Sequence, residues 1–510
     1  MSIQKKNLFD AYKYFNILFY IAVSLFIGLS VFNIFYSFGL FVDTLEHLRA
    51  SFFIGNGFLP YKDFFEHHNP LLWFMMAPLT KILEGNLVIV PLVRIISVLG
   101  YFACIYLIYL INAKFIYGKK TALLSTFILM SLPIWSDMAN IRPDIFMMLC
   151  FLGSLYFFYS YLENKELIKL IFCYTLISIS FLFLQKVLFL IFGFGLVNLW
   201  YIYKKELKIK DVIIASVVAS APLIIFCGYL IYNGIFGDWF YYNFTFNTLI
   251  GTYYDDYQSV PREIKALFFI SFMIIFKQYT NEKKALPIFV LVVCSFLSLL
   301  YFFPYPQYAM PYFLLASVYF GIFFEDIKIF SHKILSILSI LVLFFGILSN
   351  YSSVHDRKSY ADTMKTMEDV NNIEPDKTVF LVTNLQYSIF RKPLNYHWFG
   401  FYNAAIIDVL NTLDKYFDFN EFLKENKPDY IIYPSLDNEV ILPEYGILDH
   451  RSWFIKRNKM ILKKMQKYPE LRSRLISIDE DFWQIDKEWI KLNYTQIKDT
   501  TIYKRNDLMK

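Results

Sequence analysis

The sequence predicts an all-α polytopic membrane protein of about eleven transmembrane helices, followed by a C-terminal α/β domain. Three observations predict it. The 510 residues are 57% hydrophobic and 20% aromatic, too apolar for a chain that folds in water. The apolar residues fall in repeated runs of about 17–25, the length an α-helix needs to cross a hydrocarbon core of roughly 30 Å, and the alternating pattern of an outer-membrane barrel is not visible. After about residue 350 the composition turns polar and charged. The spans are expected near 15–40, 87–112, 121–135, 143–162, 167–183, 187–203, 212–235, 264–280, 285–303, 310–326 and 334–350. The first apolar run is a full span without a small-residue cleavage site, so it is expected to stay as an anchor.

Charge placement sets the expected orientation. With a cytoplasmic N-terminus, the inside loops hold Lys5, Lys6, Lys13, Lys114, Lys119, Lys120, Lys165, Lys169, the four lysines between Lys204 and Lys210, and those at 277, 283, 284, 328 and 333. The outside loops before residue 350 hold only Arg49, Lys62, Lys81, Arg142, Lys186, Arg262 and Lys265. A bias of about seventeen to seven is a positive-inside signature. It predicts a transmembrane domain over 1–350, a first extracytoplasmic loop at 42–86 and an extracytoplasmic α/β domain over 351–510. In that domain "TVFLVTN" at 378–384 reads as a strand and "FNEFLKENKPDYIIYPS" at 419–435 as a helix followed by a strand. The net charge of +6 comes without a basic, aromatic-interleaved block, so a nucleic-acid partner is not expected. The five cysteines all lie in apolar segments and form no readable disulfide or zinc framework.

The most informative segment is the first loop, "DTLEHLRASFFIGNGFLPYKDFFEHHNPLLW" at 43–73. Leu45, Leu48 and Phe52 recur at helical spacing opposite Asp43, Glu46, His47 and Ala50, which predicts an amphipathic helix lying at the membrane surface. "GNG" at 55–57 and Pro60 should end it, and Asn69 with Pro70 should cap and open a second, apolar helix through Leu83. Charges cost roughly 2.5–3.5 kcal/mol each in lipid, so this loop must meet water, a polar cavity or a ligand. Asp43, Glu46 and His47 place two acids and a titratable base on one helical face.

"D..EH" after the first span, followed by "G..PY.DFFEHHNPLLW", resembles the first extracytoplasmic loop of the integral-membrane C-type glycosyltransferases that use dolichyl- or polyprenyl-phosphate sugars. That group contains the protein mannosyltransferases and the lipid A aminoarabinose transferases. The chain departs from it at Thr44, where many members carry a second acid, and at His67 and His68, where a Lys-Pro pair often follows the glutamate. The resemblance implies transfer of a sugar from a polyprenyl-phosphate carrier to an extracytoplasmic lipid, glycan or protein acceptor, by an inverting single displacement. Asp43 is then the general base, the alternative being a helix N-cap; Glu46 supports it or solvates the helix. Glu66 matches the glutamate near the phosphate or a metal, and with His67 and His68 it contacts the phosphate or holds a divalent metal ion.

The scarce outside cations are candidates for the phosphate. Arg142 in "NIRPD" precedes a span, with Pro143 at the first helical position and Asp144 beside it, and a capping role is its alternative. Lys186 in "LQKVLF" sits at an outer span end. Arg94, inside the second span, must face protein or a cavity and meets either the phosphate or an acid on another helix. Arg262 reads as an interfacial anchor, and the aromatic segment 236–262 reads as a membrane-interface belt rather than a sugar platform. A multi-span transporter or flippase for a lipid-linked or anionic substrate is the competing reading; it predicts paired repeats and broken helices, which the sequence does not show.

Overall fold

The computed structural model describes residues 2–36, 42–132, 135, 138–248, 275, 283–302, 306–326, 341, 344–348, 364–365, 367–381, 388–394, 396, 419–432, 486–498, 500 and 502–509. The expected span at 264–280, most of that at 334–350, Arg262 and Lys265 lie outside these residues. The chain divides into two compact units. The first comprises residues 1–36, 91–229 and 258–355, and the second 37–90, 230–257 and 356–510.

The first unit is helical. Its elements are α1 (Ser2–Tyr36), most of α4 (Ile89–Ile111), α5 (Lys119–Ser131), α6 (Pro143–Asn164), α7 (Leu167–Phe183), α8 (Leu188–Tyr203), α9 (Ile209–Ala219) and α10 (Ala221–Tyr232), then α12 (Leu286–Phe302), α13 (Met310–Ala316) and α14 (Phe320–Asp326). Among the described residues, four helical stretches are long and apolar enough to cross a membrane: Ile89–Ile116, Pro143–Asn164, Gln185–Tyr203 and Ile209–Tyr232. The chain is thus a multi-pass membrane protein. The last of these stretches leaves Ile213, Val217, Ile224, Ile225 and Ile231 exposed, a surface that hydrocarbon covers at no cost. Helix α6 shows how the sequence sets an element's bounds. Pro143 lacks the N–H that a first helical residue cannot use, Asp144 complements the positive end of the dipole, and Lys165 closes the helix in the left-handed conformation at φ 57°. Between α5 and α14 the backbones meet at Gly321, where a Cβ would overlap the carbonyl oxygen of Thr121. Small residues permit such approach between helices packed in lipid.

The second unit holds α2 (Val42–Gly55), α3 (Leu71–Ile82), the short α11 (Phe236–Phe240) and the polar C-terminal region. The described part of that region contains β1 (Val379–Leu381), α15 (Phe419–Asn426), β2 (Tyr430–Ile432), α16 (Lys487–Asn493), β3 (Tyr494–Gln496) and β4 (Ile502–Arg505). The strands form one mixed sheet in the order β1-β2-β4-β3. β1 and β2 run parallel with Phe380 opposite Ile431, and β2 and β4 antiparallel with Ile431 opposite Tyr503. Phe380, Leu423, Ile431, Ile490, Tyr494 and Tyr503 make its buried core. Asp429 ties the parallel pair, its Oδ2 accepting from the backbone N–H and the hydroxyl of Thr378 at 2.8 and 2.9 Å. The described strands Val379–Leu381 and Tyr430–Ile432 and the helix Phe419–Asn426 fall inside the segments 378–384 and 419–435 where the sequence places them.

Candidate functional site

In the second unit the first loop is buried, and the expected surface helix is not what forms. In α2 every residue from Thr44 to Phe53 is buried, so the helix has no solvated face. Asp43, in its first turn, is the one acid of this helix that stays partly exposed. The reason is its partners. Aromatic residues of the loop and of distant segments enclose it, with Phe52 against Phe390 at 5.5 Å and Phe53 against Phe64 at 5.2 Å. Helix α3 begins at Leu71 with Pro70 at the N-cap, one residue later than expected, and Asn69 is not its cap. The Asn69 carboxamide oxygen accepts instead from the indole N–H of Trp239 at 2.9 Å.

Between the two helices the chain turns through Tyr61, which takes a left-handed φ of 69°. Its hydroxyl donates to the His68 carbonyl at 2.6 Å, while its own carbonyl accepts from the Tyr396 hydroxyl at 2.6 Å. These bonds fix the segment that carries Glu66, His67 and His68. Segment 236–248 packs on the same turn. Trp239, Tyr242 and Phe246 are buried, the last two against Phe65 at 5.2 and 5.3 Å. The membrane-belt reading therefore fails for these three residues; they hold the loop. A single π-helical stretch, Tyr241–Phe246, brings Asn247 onto His67, and such stretches recur at functional sites.

Four side chains converge. His68 Nδ1 lies 3.3 Å from Glu46 Oε1 and 3.9 Å from Glu66 Oε2. The rings of His67 and His68 are 4.2 Å apart. Ligand-capable atoms of Glu46, His67 and His68 all fall within 4.8 Å of one another, which brings Glu46 to the two histidines expected to act with Glu66. Glu66 is fully buried, and neither of its carboxyl oxygens has a hydrogen-bond partner of normal geometry. Burial pushes its carboxyl well above the usual range, the charge of Glu46 adds to this, and Arg49 opposes it. Burial also raises Glu46, with His47 opposing and Asp43 adding repulsion. Two adjacent carboxylates out of water do not both ionise without a cation. The His47 Nδ1 accepts from the Trp73 indole N–H at 3.0 Å.

Arg49 is the functional candidate that the sequence did not single out. It is 2% exposed, with its guanidinium carbon 5.5 Å from the Phe53 ring centroid, and it supplies the countercharge near Glu66. Only its i+3 relation to Glu46 could have flagged it. A stability prediction follows from the crowding of Glu66. In chelator-treated protein Glu66→Gln keeps the shape and removes a poorly paired buried charge, so its unfolding temperature should rise by roughly 2–5 °C in a thermal melt. A fall would show Glu66 to be a well-paired structural carboxylate.

The first unit carries a separate cluster at span ends. Arg142 stands at the N-cap of α6 without a side-chain capping bond, so the capping alternative does not use its guanidinium. Its Nε lies 3.5 Å from Asp144 Oδ2. Lys186, in a 3-10 turn between α7 and α8, brings Nζ within 4.0 Å of Asp144 Oδ1 and 3.3 Å from the centroid of the Tyr308 ring. Asp144 thus gathers two cations, and the Tyr308 ring adds a cation–π contact. Arg94 is fully buried in α4 and donates from Nη1 to the Ile34 carbonyl of α1 at 3.0 Å, an interhelical contact whose acceptor is backbone and not the expected acid.

Residues 67–232 match the family model described as dolichyl-phosphate-mannose-protein mannosyltransferase. The fold is similar to the crystal structure of ArnT from Cupriavidus metallidurans bound to undecaprenyl phosphate, with a TM-score of 0.57 at 11% identity, over 81% of this chain and 91% of that one. The apo structure of the same protein gives 0.53 at 12% identity, over 80% and 92%. A search of curated proteins finds no match. The family match and the fold likeness agree with the resemblance carried by the first loop. The class they point to is the membrane-embedded glycosyltransferase, to which this chain is similar in fold and, over residues 67–232, in sequence.

Proposed function

We propose that the chain transfers a sugar from a polyprenyl-phosphate carrier to an extracytoplasmic acceptor, by a single displacement that inverts the anomeric carbon. The observation that carries this reading is the partly exposed Asp43 at the head of a helix whose other acid, Glu46, is buried beside Glu66. A base must reach the acceptor hydroxyl, and only Asp43 of the three carboxyls of the cluster retains that access. In the step, the acceptor oxygen bonds to the anomeric carbon as the bond to the phosphate oxygen breaks. The electron pair leaves with the lipid phosphate, and the acceptor's proton passes to Asp43. A phosphate leaves without a strong proton donor, so one base is enough. Arg142 and Lys186, which both approach Asp144 at span ends, are the cations proposed to bind a lipid phosphate. The carrier class is supported by the ligand of the similar structure, undecaprenyl phosphate. The transporter reading has no such support.

Retention of polyprenyl phosphate by the purified protein in native mass spectrometry tests the carrier. The expected result is a complex with polyprenyl phosphate and none with the uncharged polyprenol; equal retention of both would remove the phosphate from recognition. We also propose a cytoplasmic N-terminus, with the first loop and the polar C-terminal region outside. Ser51 is fully buried and unsuited to labelling, whereas Lys62, Lys204 and Lys427 are exposed. Cysteines at 62 and 427 should react with a membrane-impermeant thiol reagent added outside intact cells, and one at 204 should not. Labelling of 62 and 427 from opposite sides would overturn the topology.

A further inference from the structure

We propose that the turn between α8 and α9 is a binding site for the headgroup of an anionic phospholipid, held by Lys204, Lys205, Lys208 and Lys210. Residues 204–210 contain these lysines and a single acid, Glu206. The turn has a defined shape. The Tyr201 carbonyl accepts from the N–H groups of Glu206 and Leu207 at 2.9 and 3.1 Å, and Lys205 takes a left-handed φ of 60°. The Lys165 ammonium, at the end of α6, donates to the Glu206 carbonyl at 2.6 Å and ties the turn down. Leu207 is buried in this fold, while all four lysines are exposed.

Neighbouring lysines have acids beside them. Lys169 Nζ lies 3.2 Å from Glu166 Oε1, and Lys114 Nζ 4.0 Å from Glu163 Oε2. The next acid in the chain, Asp211, accepts from the Tyr161 hydroxyl at 2.7 Å. The four lysines of the turn form no ion pair with a described residue, so their charges repel one another until an anion arrives. What flanks them selects the anion. Leu199, Trp200 and Tyr203 of α8 and Ile209 and Ile213 of α9 are exposed apolar side chains on either side of the turn. Both helices belong to stretches long and apolar enough to cross a membrane, which puts these side chains against hydrocarbon and the turn at headgroup depth. The Lys204 ammonium stands 4.8 and 5.5 Å from the ring centroids of Trp200 and Tyr203, residue types that settle at this interface. A phospholipid whose chains lie along the apolar flanks brings its phosphate to the lysines, and an anionic headgroup gains from the clustered charge what a zwitterionic one does not. A soluble phosphate gains nothing from the flanks. Lipid binding here does not rest on the carrier reading above.

The experiment uses the full-length protein in detergent, equilibrated with an equimolar mixture of phosphatidylglycerol and phosphatidylcholine of the same acyl chains, with retained lipid counted by native mass spectrometry. One lysine near an anionic headgroup is worth about a fivefold preference, so the wild type should retain phosphatidylglycerol over phosphatidylcholine by at least about fivefold. This arm needs no variant. The combined change Lys204→Gln, Lys205→Gln, Lys208→Gln and Lys210→Gln should lower that ratio by at least about fivefold. The same four positions changed to Arg keep the charge and should keep the preference. A thermal melt within a few degrees of the wild type shows that each variant is folded. Equal retention of the two lipids by the wild type, an unchanged ratio in the glutamine variant, or loss of the preference in the folded arginine variant would overturn the proposal. Displacement of phosphatidylglycerol by inorganic phosphate, at an ionic strength where sodium chloride leaves it bound, would also overturn it and assign the lysines to a soluble phosphate.

Discussion

Asp43→Asn should lower turnover by about 10²–10⁴-fold with the fold intact. The substitution keeps size and polarity at the first turn of α2, where the loss of a negative charge near the helix N-terminus costs only about 0.3–1 kcal/mol. What it removes is the proton acceptor. Glu46 and Glu66 are poor substitutes because burial disfavours their charged forms and keeps them from an incoming hydroxyl. The check is the rate at saturating donor, paired with a thermal melt that shows unfolding within a few degrees of the wild type. Near-normal turnover would dismiss Asp43 as base and leave it a charge that influences Glu46.

Lys186→Ala should weaken donor use by roughly 10–150-fold, the consequence of losing one charge-assisted contact of about 1.5–3 kcal/mol to the phosphate. The geometry adds a discriminating arm. Lys186 approaches Asp144 at 4.0 Å and stands over Tyr308, so its ammonium is held in place before any ligand arrives. If Asp144 only orients the cations, Asp144→Asn should raise the donor KM more than it lowers kcat, and high salt should mimic the change. Unchanged donor dependence in Lys186→Ala would make this cluster a structural feature of the span ends.

Much of this molecule was legible in its sequence, and what was missed has physical causes. The four membrane-length helices among the described residues stand where hydropathy places spans, because lipid permits little besides helix. The ends of α6 were legible from Pro143 and Asp144. Helix α2 was legible as a helix but not as a buried one. Its amphipathic pattern implied a solvated face, but on that face Glu46 lies 3.3 Å from His68 Nδ1 and His47 accepts from the Trp73 indole, contacts that depend on how the loop folds back on the helix. For the same reason Asn69 read as a cap, since nothing local announces Trp239 as its partner. The aromatic segment read as a belt because Tyr, Phe and Trp serve interfaces and cores alike. The hairpin of β3 and β4 was missed because its short strands, "YTQ" and "IYKR", carry too few apolar residues to alternate visibly. Glu66 and the two histidines were legible as a group, whereas Glu46 read as a companion of Asp43; that Glu46 also reaches the histidines depends on tertiary distances of a few ångströms.

The claim that the chain consumes lipid-phosphate sugars is tested most directly by purified protein incubated with a panel of polyprenyl-phosphate sugars, measuring release of free polyprenyl phosphate. The account predicts release from at least one donor by the wild type, dependent on an added acceptor, at least about 100-fold slower in Asp43→Asn, and none of the same sugar from its nucleotide form. Transfer from the nucleotide sugar, or lipid phosphate release at the same rate in Asp43→Asn, would contradict it.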